Sequence, residues 1–150
     1  RNRCQIAGPD GTIPWSIPVV KATKPGQPIC ETRISDHGNW RHLHWRALQS
    51  AYGNSPFFEY YEDDFRRFYQ PDWEFLTDYN RDLMTLVFEL LDITPQINNT
   101  EKFQAVPLMD FQGVAPRPYY QVFSSRHGLI PDLSIVDLLF NMGPESVLYL

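Results

Sequence analysis

The stretch between Pro71-Asp72 and Thr94-Pro95 constrains the fold more than any other part of the chain. Pro71-Asp72 can start a helix and Thr94-Pro95 can end one. Between them, apolar residues recur at spacings of three and four, which places them on one side of an α-helix. A helix with a single apolar side must bury it against other elements. We therefore expect this helix to belong to the core rather than to a site; its apolar residues are Leu76, Tyr79, Leu83, Leu86, Val87, Leu90 and Leu91.

Three further helices are predicted from their start and stop signals. Asp36 or Asn39 can cap a helix over residues 40–52, which Gly53 would close. Ser55-Pro56 combines a capping residue with a proline at the first helical position, and an aromatic-rich segment follows. In the last part of the chain, the spacing within 134–137 is that of a capping box, in its aspartate form, before a short apolar helix.

The beginning of the chain is typical of β structure. A turn at residues 8–11 separates a short strand from a second one, in which Ile13, Trp15, Ile17 and Val19 alternate on one face. Prolines on the opposite face of the second strand indicate an edge strand. Further short strands are predicted at 29–34, 119–123 and 147–150, from their apolar and β-branched residues.

These elements predict one domain over residues 1–150, of α/β or α+β class. We expect a small mixed sheet with an edge hairpin, packed against three to four aromatic-rich helices, because 150 residues suffice for one buried core.

Composition excludes several classes of function. The net charge of −5 argues against a nucleic-acid binder, and no apolar run approaches the roughly 18 residues of a membrane span. We expect the only two cysteines, Cys4 and Cys30, to be reduced and half-buried in strands, which favours a cytoplasmic protein. No nucleotide-binding fingerprint occurs, and His42 and His44 are two residues apart, unlike helical metal ligands. We therefore predict no cofactor and no metal; the oligomeric state stays open.

The most reactive stretch of the sequence is the start of the 40–52 helix. Trp40 and His44 share one stripe of this helix, and Arg41 and Trp45 share the neighbouring stripe. A guanidinium, an imidazole and two indoles on one face suit an anionic or carbonyl substrate stacked on aromatic rings. The alternative is an aromatic helix facing the core, with His44 bonded to a backbone carbonyl.

Three other residues complete the set of candidates. His127 follows the predicted strand 119–123, and catalytic groups often lie on such loops. Asn80 lies on the apolar side of the 71–94 helix, where a buried amide needs a partner or a ligand. Tyr52 ends the helix that carries Arg41 and His44. We predict Arg41, His44 and His127 as catalytic residues, and the two tryptophans, Tyr52 and Asn80 as substrate contacts.

Several stretches, in order along the chain, resemble the WbqC-like protein family. The most specific are the Trp-Arg-x-x-His-Trp sequence at 40–45 and the Asp-Leu-Leu-Phe-Asn-x-Gly-Pro sequence at 137–144. The family begins with a further segment, a first strand and a turn containing Pro and Tyr, so we expect this chain to be N-terminally incomplete. The stretches that carry the resemblance are Arg1-Asn2-Arg3, Ile34–Trp45, Ser55–Phe58, Tyr120–Phe123 and Leu133–Pro144.

The resemblance implies a bacterial, cytoplasmic protein of O-antigen or other surface polysaccharide synthesis. It favours a transferase that moves a glycyl or other acyl group to a sugar-linked acceptor. His44 would then be the general base, and Arg41 would hold a carboxylate or phosphate. Two alternatives stay open: a non-catalytic module that binds a carbohydrate or nucleotide sugar, and a structural partner of polysaccharide enzymes.

Overall fold

The protein has an α+β fold, so the second of the two predicted classes is confirmed. The structure is a computed structural model that describes residues 2–22, 24, 26–98 and 117–150. Over these residues one antiparallel hairpin packs with five α-helices, connected by several 3₁₀ turns. No helix among them is long and apolar enough to cross a lipid bilayer.

The hairpin consists of β1 (Arg3–Gly8) and β2 (Gly11–Ser16), joined by the predicted turn. Its register pairs Ile6 with Ile13. The second strand ends at Ser16, before the end of the predicted alternation, but the residues predicted to face inward do so. Trp15 and Ile17 are buried, and Val19 packs half-buried against the core.

The helices are α1 (Trp40–Tyr52), α2 (Phe58–Arg66), α3 (Leu76–Leu90), α4 (Ser124–His127) and α5 (Ile135–Met142). The predicted bounds of α1 are confirmed, with Gly53 following its last residue. The predicted start of α3 at Pro71-Asp72 is wrong. Phe75 is extended and forms a β-bridge with Arg33, so the helix begins only at Leu76.

A cluster of aromatic rings forms the core between α1, α2 and α5. The Phe140 ring lies 5.1–5.2 Å from the rings of Tyr52, Phe58 and Phe65. Edge and tilted ring contacts of this kind stabilise beyond the buried area alone. The apolar side of α3 also enters the core, as predicted: Leu76, Tyr79, Leu86 and Val87 are buried, as is Leu91 just beyond the helix, and Leu83 and Leu90 are half-buried against it.

The strands predicted at 119–123 and 147–150 are wrong, and the one at 29–34 is reduced to single bridges. Residues 119–121 are irregular and lead through a turn into α4, and residues 143–149 form a 3₁₀ helix. At residues 119–121, side-chain hydrogen bonds take the place of a β-ladder. The amide of Gln121 donates to the carbonyl of Ile130 and accepts from its N–H, both at 2.9 Å. Residues 29–31 form a 3₁₀ turn, and only Arg33 and Ile34 make β-bridges.

Candidate functional site

A groove opens beside the first turn of α1, where the predicted Arg41, Trp40 and Trp45 lie together. Its volume is about 450 Å³, within the range of small-molecule sites. The opposite wall comes from the end of α2 and from the 3₁₀ turn Arg67–Tyr69. We call it the α1 groove; the lining residues that matter for its chemistry are Asp36, Trp40, Arg41, Trp45, Arg66 and Tyr69.

Each of two guanidinium groups lies over an indole ring at this groove. The Arg41 guanidinium is 4.8 Å from the Trp40 ring centre, and that of Arg66 is 6.0 Å from the Trp45 ring centre. Cation–π contacts of this kind favour the guanidinium lying flat on the ring. Tyr69 completes the wall, with its ring 5.4 Å from that of Trp45. The arrangement therefore presents two positive charges beside an aromatic surface, that of Arg41 fixed by burial and that of Arg66 exposed.

The two indoles are anchored rather than exposed. Trp40 and Trp45 are 4% and 9% exposed, and the Trp40 indole Nε1–H donates to the carbonyl of Ser35 at 2.9 Å. Their buried rings hold α1 in place and offer only part of their surface to the groove. A ligand would contact them at the groove wall rather than on an open aromatic platform.

The Arg41 side chain is only 12% exposed and pairs with a carboxylate that is almost fully in solvent. Its Nη1 donates to Asp36 Oδ1, and the Asp36 side chain is 81% exposed. The Arg41 Nε–H is buried and has no hydrogen-bond partner among the described residues. The guanidinium therefore retains donor capacity that its one observed partner does not use.

His44 lies next to the groove, behind its tryptophan wall, and is not among the lining residues. Its ring centre is 4.2 Å from that of Trp15 and 5.1 Å from that of Trp40. Burial against these rings lowers the pKa of His44 to about 4, because desolvation disfavours the charged imidazolium. The imidazole is therefore neutral at pH 7. Its Nδ1 is buried and without a hydrogen-bond partner in the described part of the chain.

The other three predicted site residues lie elsewhere in the fold. Tyr52 is fully buried, and Asn80 borders a mainly apolar cavity of about 200 Å³ between α3 and the hairpin. The exposed His127 lies with Nε2 2.9 Å from the carbonyl oxygen of Pro9, at the hairpin turn. The structure thus gathers Trp40, Arg41 and Trp45, places His44 beside them, and separates Tyr52, Asn80 and His127 from them. The roles assigned to all seven stay predictions.

A buried polar network around Asp137 has no counterpart in the sequence analysis. Asp137 Oδ1 accepts the hydroxyl of Tyr52 and Oδ2 accepts that of Tyr119, both at 2.7 Å. Burial raises the pKa of the Asp137 carboxyl, and the hydrogen bonds from the two tyrosines oppose that shift. The predicted capping box is wrong, since Ser134 makes no side-chain cap at the start of α5. No local pattern predicts a partner 85 residues away.

The described residues show no group of three or more His, Cys, Asp or Glu side chains placed to hold a metal ion. Cys4 and Cys30 are unpaired, which confirms the predicted absence of a disulfide. Both residues are exposed rather than half-buried, and Cys30 lies in a 3₁₀ turn instead of a strand.

In a comparison with protein-family models, the model of the WbqC-like protein family matches residues 1–110 of the 150-residue chain. The matched range includes both walls of the α1 groove; of the Asp137 network it includes Tyr52 and ends before Tyr119 and Asp137. Comparisons with curated proteins and with solved structures find no match.

Proposed function

Because this chain belongs to the WbqC-like protein family, we propose that it acts in the synthesis of a bacterial surface polysaccharide. In this proposal the α1 groove binds the phosphate-bearing sugar of a nucleotide sugar or of another sugar-linked intermediate. Such a role would belong to the cytoplasm, where nucleotide sugars are made, and the two unpaired cysteines are consistent with that compartment.

The observation that carries the proposal is the pair of guanidinium groups in one aromatic groove. Arg41 and Arg66 outnumber the single carboxylate, Asp36, among the described lining residues, so the groove favours an anion. A guanidinium matches phosphate oxygens with a planar fork of donors. Trp45 and Tyr69 give the apolar wall against which the less polar face of a sugar ring can lie. The site therefore fits a sugar that carries a phosphate better than a neutral sugar.

A transferase that moves a glycyl or other acyl group is the second candidate, and His44 favours it. A general base must be unprotonated, and the neutral His44 imidazole, with its unpartnered Nδ1, meets that condition at pH 7. It would take the proton from an acceptor amine as that amine attacks the acyl carbonyl, and would pass it to the donor's leaving group as the bond between the acyl carbon and the donor breaks. The acceptor would have to pass the Trp40 ring, 5.1 Å from the imidazole, to reach it.

Isothermal titration calorimetry on the 150-residue chain tests the binding proposal. The ligands are glucose 1-phosphate and UDP-glucose, with glucose as the uncharged control. Arg41→Lys keeps the charge but loses the fork, so we expect it to weaken binding of the phosphorylated ligands at least about tenfold. Arg46→Lys is the matched control, since Arg46 is exposed on the same helix and does not line the groove.

Equal weakening by both lysine variants, or no binding of either phosphorylated ligand, would contradict the binding proposal. For the transferase candidate, His44→Gln should leave the affinity for UDP-glucose unchanged and remove the pH-dependent step of any transfer reaction. A His44→Gln variant that retains the full rate and pH profile would eliminate His44 as the base.

A further inference from the structure

We infer that Asp36 is an internal competitor for the α1 groove: its carboxylate occupies the place on Arg41 that a ligand phosphate takes. This inference rests on the proposed function and adds a residue that sets the affinity and selectivity of the groove for anions. The contact that carries it is the ion pair between Asp36 Oδ1 and Arg41 Nη1. Both residues line the same groove, so the ligand and the carboxylate compete for one guanidinium.

The two partners of the ion pair differ in burial, so a ligand can replace Asp36 on Arg41 at little cost. Arg41 is fixed by burial and by its contact with Trp40, whereas the Asp36 carboxylate is 81% exposed. An exposed carboxylate regains its hydration when it leaves, so the pair contributes little to stability. A phosphate that arrives with two or three oxygens can engage more of the guanidinium than the single Asp36 oxygen does. Exchange of Asp36 for a phosphate that engages more than one guanidinium donor is therefore favourable.

The charge of the groove gives a second reason. If Asp36 stays in place, its negative charge lies in the cavity that a phosphate would enter, and like charges disfavour binding. Displacement of the carboxylate toward solvent removes this repulsion at the same time as it frees Nη1. Both effects have the same sign, so neutralising Asp36 should tighten phosphate binding.

A positioning role for Asp36 predicts the opposite result. Asp36 could position Arg41, holding Nη1 so that the other guanidinium nitrogens meet the ligand. Neutralising it would then weaken binding. The exposure of Asp36 argues against this role, because a positioning residue is itself normally fixed by its surroundings.

The experiment compares Asp36→Asn with Asp63→Asn in the whole chain, by calorimetry with glucose 1-phosphate, UDP-glucose and inorganic phosphate. Asp63 is an exposed residue of α2 outside the groove, so its substitution changes the net charge equally. We expect Asp36→Asn to lower the Kd for the phosphorylated ligands about twofold to fivefold, the range for an exposed ion pair. Asp63→Asn should leave the Kd unchanged. In an Arg41→Lys background the gain from Asp36→Asn should shrink, because the competition is for the guanidinium fork.

The outcomes separate this inference from the function on which it rests. If the wild type binds in a way that depends on Arg41, but Asp36→Asn leaves the Kd equal or raises it, the competitor role is overturned and the α1 groove remains the binding site. A Kd lowered equally by both asparagine variants would reduce the effect to net charge and overturn it as well. Absence of binding in both wild type and Asp36→Asn would overturn the inference and the proposed function together.

Discussion

Removal of the Tyr52 hydroxyl should destabilise the protein strongly, although the substitution Tyr52→Phe removes a single oxygen atom. That hydroxyl donates to Asp137 at 2.7 Å and accepts the backbone N–H of Ala7 at 3.1 Å. Its loss breaks a bond to a buried carboxyl group and leaves the N–H of Ala7, which is 1% exposed, without that partner. A hydrogen bond to a charged group and an unsatisfied buried donor each cost about 1–3 kcal/mol, so we expect a total loss of about 2–6 kcal/mol.

The assay is urea unfolding followed by tryptophan fluorescence, with Tyr60→Phe as the matched control. Tyr60 is 76% exposed, so its substitution should change the free energy of unfolding by less than about 0.5 kcal/mol. The loss in Tyr52→Phe corresponds to a fall in Tm of about 4–24 °C for a chain of this size. A change as small as that of Tyr60→Phe would refute the network, because the hydroxyl would then contribute no net bond in the folded state.

Three further predictions follow from other parts of the fold. Since burial lowers the pKa of His44 to about 4, the unfolded chain binds more protons than the folded protein between pH 6.5 and 4, and the free energy of unfolding should fall as the pH decreases through this window. His44→Gln should remove that part of the loss, as measured by urea titrations at several pH values. Gly143→Ala should destabilise more than Gly128→Ala, by about 1–3 kcal/mol, because both glycines have positive φ but only at Gly143 would a new Cβ lie 2.5 Å from the Phe57 ring; equal losses in thermal melts would count against this packing. A thiol titration of the denatured, unreduced protein should give two free thiols, and a count of zero would contradict the unpaired cysteines.

Local sequence patterns predicted the elements that depend only on neighbouring residues. The bounds of α1 were predicted from Asp36 or Asn39 before its start and from Gly53 after its end, and the apolar side of α3 from its periodicity. The start of α3 could not be predicted in this way. Pro71-Asp72 is a valid start signal, but the β-bridge between Arg33 and Phe75 keeps the chain extended up to Leu76. That bridge joins residues far apart in the sequence, and no window of neighbouring residues contains it.

The α1 groove and the Asp137 network differ in the same way: the first depends in part on neighbouring residues, and the second depends on tertiary contacts. The α1 groove was predicted in part, because Trp40, Arg41 and Trp45 share one helix, but Arg66 comes from α2 and was not anticipated. Asp137 was interpreted as a capping residue, since its distance from Ser134 fits that role. In the folded chain its carboxyl group bonds instead to Tyr52 and Tyr119, which only the tertiary structure brings near.

Titration of the ¹⁵N-labelled protein with glucose 1-phosphate, followed by NMR, tests the central claim most directly, because it shows where the ligand binds. The claim predicts saturable shifts of the side-chain N–H signals of Arg41, Trp40 and Trp45 and of the backbone amides of residues 36–42 and 66–70. The side-chain amide signals of Asn141 in α5, which does not line the groove, serve as the internal reference. Saturable shifts confined to the surroundings of His127 or Asn80, or no shifts at all, would contradict the assignment of the α1 groove as the binding site.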